Sequence, residues 1–169
     1  MGRQAPPSRL SESSSVQPIA AGTAITLYAA WNARHLAGAW LHSPFDRCGA
    51  LAFLLWIVPI ACLWVTRRLA GRPRRVASAA FATALMVSFA GVATDLSALE
   101  YVALAIALAG FLPVQPATFV WLACAAAWMP AAGWAFSSHG CVLVNAVRAG
   151  IGFLALLLTP FFLRHESIC

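Results

Sequence analysis

The sequence predicts an all-α polytopic membrane protein, a bundle of about six transmembrane helices with both termini in the cytoplasm, and three observations predict it. Of 169 residues, 62% are hydrophobic and 9% charged, against roughly 25% charged in a soluble domain. The apolar residues fall in runs long enough to cross a hydrocarbon layer of about 30 Å. The arginines fall on alternate connections between those runs. In water, a chain with so few charges would expose large apolar patches and aggregate, so the lipid bilayer is its natural solvent.

The net charge of +6 comes from eleven arginines and no lysine. Five of them, Arg67, Arg68, Arg72, Arg74 and Arg75, lie in one short connection, where they face the cytoplasm and its anionic headgroups. This clustering argues for a membrane and against nucleic acid as a partner.

Residues 1–15 are polar, Ser-rich and Pro-containing, and are expected to be a disordered cytoplasmic tail; residues 16–169 form the bundle. The absence of a small-residue cleavage site argues against a removable signal peptide. The first span runs from about Val16 to Leu41 and is interrupted by Asn32, Arg34 and His35. The second, Gly49 to Val65, is densely apolar, carries Trp56 and Trp64 as interfacial rings, and contains Pro59, which is expected to kink it. The third, Val76 to Thr94, is uncharged and follows the arginine cluster directly. The fourth runs from Leu96 to Leu112, with Asp95 expected as its N-cap and Glu100 one turn inside. The fifth, Ala117 to Phe136, holds Trp121, Trp128 and Trp134, with a bend expected at Pro130. The sixth extends from Cys141 to Leu163 and carries Asn145 and Arg148 in its first two turns.

With the N-terminus inside, the inner face holds Arg3, Arg9, the five-arginine loop and Arg164, while the outer face holds Arg47 and Arg34. This asymmetry satisfies the positive-inside rule and orients the bundle. Small residues, including Ala123–Ala127 and the pair Gly150 and Gly152, predict close helix packing, because without a hydrophobic force between helices in lipid only close backbone approach gives good contact.

A charge near the bilayer centre costs a few kcal/mol on insertion scales, so intramembrane charges need a reason. Arg148 and Glu100 are the two candidates, both near the outer face. One reading has Arg148 snorkelling or pairing with Glu100 to fix helix register. The other has Arg148 lining an outward-opening polar site.

The outer connections HSPFDRCG (His42 to Gly49) and SSHGC (Ser137 to Cys141) bring two histidines and two cysteines to the same face. A thiolate is the nucleophilic form of cysteine, and a nearby imidazole or guanidinium stabilises it, so Cys141 with His139 and Arg148 suits thiol-based acyl transfer. Read without function, His42 and His139 are ordinary loop histidines and Cys141 is a helix-terminal residue. A Cys48–Cys141 disulfide is a further option in an oxidising periplasm. Among the other cysteines, Cys62 and Cys124 read as packing residues. The five cysteines show neither a CxxC pair nor zinc-ligand spacing, and a bis-histidine haem site is not supported, so no cofactor is expected.

The stretch WLHSPFDRCGALAFLLWIVPIACLW, the basic loop RRLAGRPRR, and the segments DLSALEYVALAIALAGFLP and WLACAAAWMPAAGWAF resemble the membrane body of the exosortase/archaeosortase family over roughly residues 40–136. The resemblance implies a cysteine peptidase or transpeptidase that processes the C-terminal sorting signals of exported proteins with a Cys, Arg and His set near the outer face. NAVRAG, around Arg148, resembles the arginine element. The chain departs from the family in three ways. The small-residue motif that carries the cysteine is not intact, Cys141 and Arg148 share one segment, and His165 stands on the predicted inner side. Two other classes stay open: a non-catalytic membrane subunit or assembly factor, and a small transporter using Glu100 and Arg148.

Overall fold

The computed structural model describes residues 13–65, 74–130, 135 and 137–164, and among these residues every regular element is helical. In chain order the α-helices are α1 (Ser13–Asn32), α2 (His35–His42), α3 (Gly49–Val65), α4 (Arg74–Thr94), α5 (Ser97–Ala109), α6 (Pro116–Ala123), α7 (Cys141–Leu157) and α8 (Thr159–Arg164). Short 3-10 segments cover Cys124–Ala127 and Ser137–His139. The all-α class expected from composition is therefore the class observed. Most of the tail, the arginines at 67, 68 and 72, and His165 lie outside the described residues.

Two stretches are long and apolar enough to cross a membrane, Val76–Thr94 and Cys141–Leu163. They coincide with the third and sixth expected spans, because each is predominantly apolar over a suitable length. Gly49–Val65, Ser97–Ala109 and Pro116–Ala127 are shorter apolar helices. Within the Cys141–Leu163 stretch the helix tightens at Leu158, whose amide bonds to Ala155 O at 3.3 Å, before Thr159 and Pro160 begin α8.

The first segment differs from its expected form. It is two helices: α1, 20 residues long and so about 30 Å in length, and the eight-residue α2. The division falls at the polar trio Asn32, Arg34 and His35. α1 also begins at Ser13, three residues inside the stretch read as tail.

Asp95 is not an N-cap. The residue capping α5 is Leu96, without a side-chain bond, and Asp95 has φ 54°. It is the left-handed residue that ends α4, and the Leu96 amide reaches back to Gly91 O at 3.0 Å. That is the six-to-one bond of a Schellman turn, in which an acidic residue tolerates the left-handed conformation better than most.

The fifth segment breaks before Pro130. α6 ends at Ala123 and the chain tightens into the 3-10 turn at Cys124–Ala127. α3, by contrast, runs unbroken through Pro59.

The helices pack in two groups. α4 lies along α5 with α1 against both, and α3 lies along α7 and the 3-10 turn. α6 touches α5 and the 3-10 turn, and so links the groups. Between α3 and α7 the backbones approach closely at Gly152, where a Cβ would stand 3.0 Å from Ala52 Cα. The companion glycine, Gly150, has open space beside it.

Trp56 and Trp121, both fully buried, stack at 3.8 Å and exchange bonds: each indole N–H donates to the other's carbonyl, at 2.7 and 2.8 Å. Between α1 and α4, Asn32 Nδ2 donates to the buried Ser88 Oγ at 2.9 Å. The large apolar side chains of Trp31, Leu54, Trp64, Met86, Phe119 and Leu157 face outward, whereas Asp46, Ser88, Thr118 and Arg148 are buried. Apolar groups outside and polar groups inside is the arrangement a hydrocarbon solvent favours.

Candidate functional site

Arg148 occupies the second turn of α7, and the helix aims its side chain inward against α3 and the 3-10 turn. Its side chain is 3% exposed. Charge this deep needs a partner, and it comes from the connection between α2 and α3: Arg148 Nη2 lies 2.6 Å from Asp46 Oδ1, with the Asp46 side chain 8% exposed. The expected partner, Glu100, lies instead against Gly91 of α4.

The second anchor of Arg148 follows from the break in the fifth segment. A helix end leaves its last carbonyls without amide partners, and side chains from other helices take them here. Trp128 O accepts from Trp40 Nε1 at 2.9 Å, and Met129 O accepts from Arg148 Nη2 at 3.0 Å.

The connection from Ser43 to Cys48 is held over this point by Asn145, one turn before Arg148. Asn145 Nδ2 donates to Pro44 O and Cys141 O, both at 2.9 Å, and Asn145 Oδ1 accepts from the Cys48 amide at 3.1 Å. Gly49 follows directly. A Cβ there would collide with the Trp40 indole nitrogen and stand 3.2 Å from Arg148 Nη1, so only glycine fits between the two donors.

A cavity of about 290 Å³ lies beside this group. Ala126 and Ala127 of the 3-10 turn form one side, Leu143, Val144, Val147 and Ile151 of α7 another, and His139 and Arg148 complete the lining. Its wall is apolar. Arg148 Nε and Nη1, together with Trp128 Nε1, are buried without a hydrogen-bond acceptor. Unmet buried donors of this kind cost roughly 1–3 kcal/mol each and call for an explanation.

Of the three residues expected to act together, two border one cavity. His139 and Arg148 line the same cavity, and Ser138 Oγ stands 3.1 Å from His139 Nδ1. Cys141 does not line it. Its thiol is exposed at the start of α7, and the seven-residue separation puts it about 10 Å along the helix from Arg148. Cys48, half-buried, ends the connection that carries Asp46. Cys48 and Cys141 are both free thiols.

Sequence reasoning missed Asp46, Trp40 and the Met129 carbonyl. Asp46 carried a usable signal, as the acid in the connection predicted to share a face with Arg148. Chemically, the site offers a charge-balanced guanidinium with spare N–H donors, able to receive a carbonyl or carboxylate oxygen. Among the described residues no group of three His, Cys, Asp or Glu side chains is placed to hold a metal ion.

The described chain is thus an all-helical bundle with two helices able to cross a membrane and a buried arginine near one end. Comparison with protein-family models, with curated proteins and with solved structures finds no match.

Proposed function

We propose that the protein is a multi-pass protein of the bacterial cytoplasmic membrane, with about six spans and both termini inside, that handles the C-terminal sorting signals of exported proteins at an outward-facing site. In this reading it is an exosortase-like cysteine peptidase or transpeptidase. The Cys141 thiol gives its proton to His139 and attacks the scissile carbonyl, Arg148 receives the developing oxyanion, and the C–N bond breaks as His139 returns the proton to the departing amine, leaving a thioester on Cys141. The observation that carries the reading is the shared cavity: residues nine positions apart, His139 and Arg148, line one pocket beside the start of α7. The sequence resemblance across residues 40–136 and the outward apolar surface support it.

A second reading, a non-catalytic subunit or assembly factor of the same machinery, is favoured by one observation. Cys141 lies outside the cavity lining, while Arg148 is engaged by Asp46 and Met129 O.

The two readings separate in the native host, by following the mass and surface anchoring of exported proteins. Loss of processing in Cys141→Ser supports the enzyme. Full processing in Cys141→Ser with loss in a deletion of the chain supports the subunit. Unchanged processing in the deletion rejects both.

A further inference from the structure

Arginine and a carboxylate at their best geometry meet by two parallel N–H···O bonds. Asp46 meets Arg148 through one nitrogen. Nη2 holds Asp46 Oδ1 and also donates to Met129 O, while Nε and Nη1 stay buried without an acceptor. The carboxylate is also carried by a connection, not a helix. Two backbone bonds, Asp46 N–H to Ser43 O at 3.1 Å and Gly49 N–H to Asp46 O at 2.8 Å, fix the main chain of Asp46, while among the described residues only the ion pair holds its carboxylate, which can therefore swing away by side-chain rotation. Next to the arginine lies the apolar cavity, and two of its lining residues, Leu143 and Val147, are also exposed on the outside of α7. The cavity therefore lies at the flank of the bundle.

We propose that this end of the bundle binds an amphiphilic carboxylate, a carboxyl group on an unbranched acyl chain, and that Asp46 is the internal placeholder it displaces. Charge decides the class of ligand. Adding an anion beside the intact pair would leave one negative charge uncompensated in a poorly solvated place, whereas exchanging one carboxylate for another keeps Arg148 neutralised throughout. Displacing Asp46 uncovers Arg148 Nε and Nη1, which are buried without an acceptor and open no polar surface to the cavity while Asp46 is in place. The ligand's chain fills the cavity: at roughly 30 Å³ per group, the volume share of a water molecule, 290 Å³ holds about ten methylenes. The inference does not depend on thiol chemistry at Cys141.

Decanoate is the matching probe, with acetate (head alone) and decanol (tail alone) as controls. The measurement is a saturable rise in melting temperature of the full chain in detergent. Decanoate is expected to stabilise the protein well beyond both controls. Asp46→Asn keeps the shape of the placeholder but removes its charge, and is expected to lower the apparent Kd for decanoate about tenfold or more, because an internally occupied site reduces apparent affinity by its closed fraction. Ala127→Phe fills the cavity and is expected to abolish the effect. Equal stabilisation by decanoate and decanol overturns the proposal, as does an unchanged or weaker affinity in Asp46→Asn. If Arg148→Gln does not fold, the Asp46→Asn and Ala127→Phe comparisons still decide.

Discussion

Asp46 Oδ1 stands 2.6 Å from Arg148 Nη2, joining the α2–α3 connection to the second turn of α7. Both side chains are almost fully buried, so each depends on the other to offset its desolvation. Removing only one should therefore cost far more than replacing both. Asp46→Ala is expected to destabilise the bundle by about 3 kcal/mol or more, and Asp46→Ala with Arg148→Met by clearly less. Thermal unfolding of the three proteins in one detergent checks this. Additive losses would mean that the pair is not energetically coupled.

The reciprocal bonds of Trp56 and Trp121 give a second cycle. Each indole N–H serves the other residue's carbonyl over a stacked ring pair. Either Trp→Phe change removes one buried bond and part of the stacked ring surface, for a loss of about 1–3 kcal/mol. The double substitution should fall short of the sum by roughly 0.5–1.5 kcal/mol, the coupling of a packed aromatic pair.

Gly150 and Gly152 look alike in sequence and should behave differently. Gly152→Ala forces a Cβ to within 3.0 Å of Ala52 Cα and is expected to cost about 1–3 kcal/mol by overpacking. Gly150→Ala meets nothing and should be neutral or stabilising by up to ~1 kcal/mol through helix propensity. Equal melting temperatures for the two variants would contradict the α3–α7 packing.

Asn145 ties the connection down through Pro44 O and the Cys48 amide. Asn145→Ala should therefore speed maleimide labelling of the half-buried Cys48 several-fold, since two lost hydrogen bonds are together worth about 1–3 kcal/mol of closure. Labelling of exposed Cys141 should not change, and buried Cys124 should stay protected. Faster labelling of Cys124 as well would indicate general unfolding.

Part of this was legible in the sequence because hydrocarbon imposes a one-dimensional rule. Val76–Thr94 and Cys141–Leu163 could be bounded to the residue from apolar length and the polar residues that flank them. The break at Cys124–Ala127 was not legible. An alanine run suits a helix, and it tightens here where its freed carbonyls meet donors from Trp40 and Arg148, residues remote in sequence. Asp95 was misread for a related reason. An acid between two helices can cap the second or close the first, and only the backbone angle distinguishes them.

The candidate site divides in the same way. Arg148 and His139 could be picked out singly, because a charge inside an apolar run and a histidine at its edge are conspicuous without any geometry. Their shared cavity, the exclusion of Cys141 from it, and the choice of Asp46 over Glu100 were decided by the tertiary structure. Sequence alone determined which segments are apolar and which residues are out of place in them, since both follow from transfer free energy residue by residue. Partnership is a property of distance, and here it depends on how an eight-residue helix and a six-residue connection fold back over α7.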